Sequence, residues 1–237
     1  MTLDLRPAGG AALLATFDSL AAVVAFRSAL PRGLPGVTEV VSGARSLLFR
    51  FDATTDAGRL AAALDAVPFD AAVVEPAVAG EPGAAGEPAA ALQPGAAVQP
   101  GAAVQPDVTS EPVVVAVTYD GEDLAAVAAL VGMSTSDLVA WHTGQVWTSA
   151  FCGFAPGFSY LTGTAPSLDL PRRSSARTAV PSGAVAMAGE FSAVYPRTSP
   201  GGWQLIGRTD VPMWSLDRDP PALAPAGTRV RFVAVHP

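Results

Sequence analysis

The residues best suited to chemistry lie between Phe151 and Arg208. Arg172 and Arg173 follow Pro171, and Arg177 comes four residues after Arg173, so three guanidinium groups fall within six residues. A fourth, Arg208, closes the run Ser199-Pro200-Gly201-Gly202-Trp203-Gln204-Leu205-Ile206-Gly207-Arg208. A guanidinium donates in a planar fork that matches a carboxylate or phosphate, so this cluster can hold a small anion bidentately. The same residues can instead pair with acids at a surface or interface. Upstream, Phe151 to Leu161 reads F-C-G-F-A-P-G-F-S-Y-L, where Pro156 and Gly157 turn the backbone among four aromatics. Tight turns beside a packed or ligand-facing surface use such residues. Tyr195 and the Gly201-Gly202 pair complete the candidate ligand-binding set with Pro156, Gly157 and the four arginines.

Acid–base chemistry has one candidate. The chain has two histidines, and His236 lies one residue from the end, which leaves His142 as the catalytic imidazole candidate. Its place at the end of a predicted helix also suits a purely structural role, since a cation there meets the negative end of the dipole. Cys152 is the single cysteine, so an internal disulfide and CxxC redox or metal chemistry are excluded. In an apolar context it reads as a small buried hydrophobe, with a Cys152–His142 nucleophile pair as the sharper alternative. All 14 basic residues are arginine, so no lysine nucleophile or Schiff base is available. Asp120 and Asp123 suit a helix cap, and two carboxylates alone do not specify a metal site; none is predicted.

The elements that must position these residues fall into two textures. Ala11–Phe17 reads as a strand, and Asp18 or Ser19 caps a helix to Leu30, stopped by Pro31. Val37–Ser42 and Ser46–Phe51 form a hairpin, and Thr54 or Thr55 caps a helix to Val67. Residues 76–106 are Ala/Gly/Pro/Glu/Gln-rich with a repeated Gln-Pro-Gly-Ala-Ala-Val, a composition that predicts a flexible insertion. Pro112–Thr118 is then a valine-rich strand, giving a β-α-β-β-α-β order, which predicts an α+β, ferredoxin-like N-terminal domain from residues 1–75 and 107–147. That domain ends with helices over Asp120–Val131 and, capped by Ser134, Thr135–Trp141. From residue 148 to 237, Gly and Pro recur every few residues between short apolar runs, which predicts an all-β barrel or sandwich.

Composition narrows the function classes. The 237 residues are 50% hydrophobic and 15% charged, enough for real cores. No apolar run approaches the roughly 18 residues that span a bilayer, and the first ten residues lack a signal-peptide pattern, so a cytoplasmic protein without membrane contact is expected. The net charge of −7 divides unevenly: residues 1–149 hold six Arg against sixteen acids, and residues 150–237 hold eight Arg against five. A basic C-terminal part suggests an anionic ligand or an acidic partner surface. No nucleic-acid-reading motif accompanies it, so nucleic acid is not an expected partner.

In order along the chain, Tyr119-Asp120 with Asp123-Leu124, His142-Thr143, G-F-A-P-G-F-x-Y-L, P-R-R, R-T-x-V-P, Tyr195-Pro196 and S-P-G-G-W-Q-L-I-G-R-T resemble the allophanate hydrolase subunit 1 family. This is the carboxyltransferase subdomain C and D family, with the B-type component of 5-oxoprolinase and the Kip inhibitor of a histidine kinase among its members. The resemblance implies a cyclophilin-like C-terminal barrel. It further implies a B-type subunit that is inactive alone and works with a second cyclophilin-like chain, the C-type subunit, and an A-type subunit. Together these hydrolyse a lactam, 5-oxo-L-proline, to L-glutamate with ATP as shared cofactor. Two other functions follow from the same family: inhibition of a sensor histidine kinase, and a part in an allophanate or urea amidolyase-type hydrolase. The Ser-Ser-Lys centre of amidase-type allophanate hydrolases cannot be built in a chain without lysine. The family's G-G-Q-T-G-I-Y-P stands here as Gly189-Glu190-Phe191-Ser192-Ala193-Val194-Tyr195-Pro196.

Overall fold

The computed structural model describes residues 3–31, 33–68 and 111–235. The predicted flexible insertion, residues 76–106, and His236 lie outside them. The N-terminal elements are β1 (Asp4–Pro7), β2 (Ala12–Thr16), α1 (Leu20–Ala29), β3 (Val37–Ser42), β4 (Ser46–Phe51) and α2 (Ala57–Asp65). The strands form one antiparallel sheet in the order β1-β2-β4-β3. Period-two alternation turns Leu47, Phe49 and Phe51 to one face, where they bury against Val23 and Phe26 of α1 and Leu60 and Leu64 of α2. Ser19 caps α1, its hydroxyl accepting from the Ala22 N–H at 3.1 Å. Asp56, not Thr54 or Thr55, caps α2, accepting from the Arg59 N–H at 2.8 Å. Both threonines instead donate their hydroxyls to Asp52, at 2.7 and 2.9 Å, which fixes the turn before the helix.

The ferredoxin-like unit predicted to close with the strand at Pro112–Thr118 does not form that way. This strand, β5 (Val113–Val117), pairs in parallel with the last strand of the chain, and β1 takes the edge beside β2. The physical reason is burial. Val115 and Val117 are fully buried in a core with Trp147, Leu161, Ile206 and Phe232, whereas the N-terminal sheet already has its own core. The helices α3 (Leu124–Leu130) and α4 (Thr135–Thr143) bury Val127, Ala128 and Leu138 in the same C-terminal core. Residues 113–147, expected in the N-terminal domain, thus pack on the barrel. Ser134 and Asp137 form a full capping box at the start of α4.

The remaining strands are β6 (Trp147–Cys152), β7 (Ser159–Gly163), β8 (Arg177–Val180), β9 (Ala184–Ala188), β10 (Phe191–Val194), β11 (Ser199–Gly201), β12 (Gln204–Arg208) and β13 (Arg229–Ala234). Seven strands form one sheet in the order β12-β9-β10-β7-β6-β13-β5, with β8 and β11 paired separately. The sheet curls until its two ends meet: the Thr118 N–H donates to the Arg208 carbonyl, and the Arg208 N–H to the Thr118 carbonyl, both at 2.9 Å. The predicted barrel is therefore present and nearly closed. Every residue of β9 is buried because both faces are covered. Val185 and Met187 point to the main core, while Ala184, Ala186 and Ala188 lie under Phe158, Tyr195 and Trp203 on the opposite face. Small alanines leave room for these rings, each contributing roughly 1.5–3 kcal/mol by burial. Among the described residues, no single helix is long and apolar enough to cross a membrane.

Candidate functional site

The barrel seam, where β5 meets β12, gathers most of the candidate residues. The segment 118–123 runs along β12: the Gly121 N–H donates to the Ile206 carbonyl at 3.3 Å and the Asp123 N–H to that of Leu205 at 2.9 Å. Asp123 then completes the pairing with its side chain, which accepts the Leu205 N–H at 2.7 Å. The same carboxylate, 7% exposed, accepts from Arg173 at 2.7 Å and from Arg177 at 2.9 Å. Burial works to raise the Asp123 carboxyl. The Arg177 hydrogen bond, the Leu205 N–H and the two guanidinium charges outweigh it and hold the group below the usual carboxylate range. Arg177, in turn raised by Asp123, also reaches Glu122 at 3.0 Å and the Trp203 carbonyl at 3.4 Å. Arg208 pairs with Asp120 at 2.8 Å, both side chains half exposed.

Three of the four candidate arginines are therefore committed to acids of the 120–123 segment. Arg172 differs. It is exposed, and among the described residues it makes no ion pair. Its backbone is held on both sides, since the Pro171 carbonyl accepts from the Gln204 amide at 3.0 Å and the Arg173 N–H donates to the Gly202 carbonyl at 2.8 Å. Its charge acts on the phenols of Tyr160 and Tyr195, which burial pushes up and Arg172 eases down. Tyr160 stacks on Phe151 at 4.3 Å and meets Trp203 edge-on at 5.6 Å, an aromatic shelf in which Phe151 and Trp203 are buried and Tyr160 is partly exposed. An uncommitted cation thus acts on two phenols, that of the partly exposed Tyr160 and that of the buried Tyr195.

Close packing requires Gly157 and Gly201, whereas a side chain on Gly202 would meet only ordinary contacts with Ala176 and Arg173. The hydroxyl of Tyr195, a residue 2% exposed, sits where a side chain on Gly201 would begin. Gly157 adopts φ +80°, and a Cβ there would lie 2.8 Å from that of Trp214. Pro156 is in the same turn, exposed beside the buried Gly157.

His142 is not at this face. It is fully buried, with Nδ1 2.7 Å from the Tyr119 hydroxyl and Nε2 2.8 Å from that of Ser192. Its ring lies 4.5 Å from that of Phe232 and 4.9 Å from that of Trp147. Burial pushes its pKa down to about 3, so it is neutral at pH 7 and holds the core rather than exchanging protons with a ligand. With both ring nitrogens occupied, the Cys152–His142 pair does not form; the Cys152 sulfur lies 3.6 Å from the Ser159 hydroxyl and the Ala224 carbonyl. Among the described residues, no group of three or more His, Cys, Asp or Glu could hold a metal ion.

Two residues escape sequence reasoning. Asp123 suits a cap by its position, yet its side chain makes no cap bond to α3 and is the hub of the seam. A signal is present: the acids Asp120, Glu122 and Asp123 precede a helix in a protein whose C-terminal part is rich in arginine. Phe154 adopts φ +65° and remains 54% exposed at the tip of the Gly153–Phe158 turn, beside Phe158 and Tyr195. A bulky residue in this backbone region is rare, and no sequence signal distinguishes it from its aromatic neighbours.

Comparison with known proteins agrees with this architecture. The B-type component of 5-oxoprolinase from Bacillus subtilis is 40% identical over 126 residues, 52% of this chain and 52% of that protein. The protein of the same name from Escherichia coli O157:H7 is 44% identical over 113 residues, 48% of this chain and 52% of that one. These matches span about half the length of the curated relatives. The crystal structure of TTHA0988 superposes with a TM-score of 0.65 at 27% identity, covering 98% of this chain but only 40% of that longer one. Residues 3–224 match the family described as carboxyltransferase domain, subdomain C and D. That match runs from β1 past the seam and the aromatic shelf, and on that ground the chain belongs to the carboxyltransferase subdomain C and D family.

Proposed function

We propose that this chain is the B-type subunit of an ATP-dependent 5-oxoprolinase, inactive alone, that works with A- and C-type subunits in the cytoplasm to hydrolyse 5-oxo-L-proline to L-glutamate. The identity of 40% and 44% to two proteins named as the B-type component of 5-oxoprolinase carries this reading. A single cysteine, which excludes an internal disulfide, suits a reducing compartment. The family resemblance supports a cyclophilin-like reading of the barrel, and core packing supports a division into residues 3–68 and 112–235.

On this reading Arg172 meets the substrate carboxylate, with Tyr160 and Tyr195 beside it and the turns at Pro156-Gly157 and Gly201-Gly202 shaping the shelf. Arg173, Arg177 and Arg208 hold the seam that carries it. ATP does not fit the residues described: the chain has no P-loop, and three arginines that could meet phosphates are neutralised by acids at 2.7–3.0 Å. Any nucleotide contact belongs to the partner subunits, and no step through ATP is assigned to this chain.

Mixing the three purified subunits with 5-oxoproline and ATP is expected to release glutamate and ADP, which this chain alone does not. Arg172→Ala is expected to raise the KM for 5-oxoproline by roughly 10–100-fold, the worth of one charge-assisted hydrogen bond. No turnover by the mixture refutes the assignment, and an unchanged KM removes Arg172 from the site.

A further inference from the structure

The barrel is closed along only part of its seam. Above Thr118 the ends are joined by the Thr118–Arg208 bonds and by segment 118–123. Below Thr118 the two sides part. After Arg208 the chain turns away, with the Thr209 N–H donating to the Gly183 carbonyl at 2.9 Å and the Val211 N–H to the Thr209 hydroxyl at 3.1 Å. Pro212 then has no N–H to offer. A cleft of about 340 Å³ opens there, lined by Ala116, Thr118, Arg208, Asp210, Val211 and Pro212.

One wall of that cleft is a strand edge. The Val235 N–H donates to the Val117 carbonyl at 2.9 Å, so Val117 directs its backbone groups to β13. Alternation sends those of Val115 and Val113 the same way and those of Ala116 and Val114 to the opposite side, where Ala116 lines the cleft. β5 is the last strand of the sheet, and among the described residues no strand pairs with this edge. Proteins protect such edges with lysine, proline or a bulge. Here β5 itself offers none of these: Val114 is 58% exposed, beside its exposed register partner Arg231, and Val233 and Val235 further along the same face are 40% and 42% exposed. The charges at the cleft do not favour a small anion, because Arg208 is already paired with Asp120 and Asp210 adds a further carboxylate.

We propose that the free edge of β5 at Val114 and Ala116 accepts an extended segment, about three or four residues long, from another subunit, which adds as a strand and fills the open part of the seam. The inference rests on the reading of this chain as a subunit. A partner is favoured over a second copy because the curated relatives are named as subunits and because this fold makes up only 40% of the TTHA0988 chain, which carries it beside further protein.

Hydrogen exchange over residues 112–118 tests this in the full chain, alone and mixed with the A- and C-type subunits. The two amides of Val114 and Ala116 are expected to exchange freely in the isolated chain and to become protected in the complex, while those of Val115 and Val117 are protected in both. Ala116→Pro removes an N–H that β13 does not use, so the folded chain is expected to persist by circular dichroism and melting, with assembly weakened at least about tenfold. Val114→Lys provides a second variant that places a charge on the edge without touching the β13 bonds.

Free exchange of both amides in the complex, or normal assembly of both variants, overturns the proposal. So does protection already complete in the isolated chain, which assigns the edge to this chain's own residues, or protection that rises with its concentration, which assigns it to a second copy. Assembly is read without turnover. A complex that protects the edge but does not hydrolyse 5-oxoproline refutes only the substrate reading, and an active complex with an open edge refutes only this one.

Discussion

Replacement of Asp123 by Asn gives a quantitative test of the seam. The substitution preserves shape and leaves a carbonyl oxygen to accept the Leu205 N–H, now at 2.7 Å. It removes the charge that Arg173 and Arg177 share. Breaking a buried ion pair costs about 3–5 kcal/mol, because the remaining charge stays buried without its partner. Two features reduce that figure here. The Arg173 side chain is 37% exposed and can turn to water, and Arg177, at 14%, keeps Glu122. We therefore expect Asp123→Asn to cost about 2–4 kcal/mol at pH 7, and Asp123→Ala about 1 kcal/mol more through loss of the Leu205 acceptor. At roughly 2–4 °C per kcal/mol for a chain of this size, the melting temperature falls by roughly 5–15 °C.

Urea unfolding followed by circular dichroism from pH 2.5 to 7 provides the assay. The folded-state pKa of Asp123 is depressed, so its charge stabilises the fold fully above the ordinary value of 3.8 and loses that effect as pH falls through the folded value. The difference between wild type and Asp123→Asn should accordingly close in acid below about pH 4. Asp120→Asn serves as the control: its pair with Arg208 is exposed on both sides, so melting should be unchanged. Equal loss from both variants, or an Asn variant within about 0.5 kcal/mol of wild type, would show that the seam does not depend on this carboxylate.

Three further outcomes follow from single contacts. His142 stays neutral in the fold with a pKa of about 3, while the unfolded chain takes up its proton below 6.5; stability should fall as pH drops between these values, by up to about 1.4 kcal/mol per unit, and His142→Leu should flatten that slope in urea titrations. Gly201→Ala drives a methyl into the Tyr195 hydroxyl and should cost about 1–3 kcal/mol, partly recovered by adding Tyr195→Phe; calorimetry of the two variants checks the rescue. At Phe154, with φ +65°, Gly should give a more stable protein than Ala by about 1 kcal/mol, the reverse of the usual order, and equal melting would mean that the turn carries no strain.

What the sequence conveyed depended on the range of the interaction concerned. Most local signals held: Ser19 and Ser134 cap their helices, Val37–Ser42 and Ser46–Phe51 pair as a hairpin, and the Gly/Pro-punctuated region forms a barrel, while the cap of α2 moved from Thr54 or Thr55 to Asp56. The assignment of β5 did not hold, because a valine-rich strand fits any sheet and its partner, β13, lies more than a hundred residues further on. Only the register Val230↔Val113 places it, and no local pattern encodes that pairing. Helix α3 shows the same limit. Its expected start at Asp120 gives way to Leu124 because segment 118–123 is drawn into the seam along β12.

The candidate site was legible as a set of residues but not as a set of roles. Arginines beside turn residues mark a place where planar donors matter, and the sequence cannot say whether their acceptors come from a ligand or from the chain itself. In this fold the acids that answer them, Asp120, Glu122 and Asp123, precede Arg173, Arg177 and Arg208 by 50 residues or more. That long-range pairing changes the electrostatics of the face. A cluster of four cations becomes a nearly neutral seam with one uncommitted guanidinium among the described candidates, Arg172, beside the phenols of Tyr160 and Tyr195. Attraction of an anion to such a surface is local rather than general, so on the proposed reading the substrate carboxylate is recognised by contact with Arg172 and not by the charge of the domain.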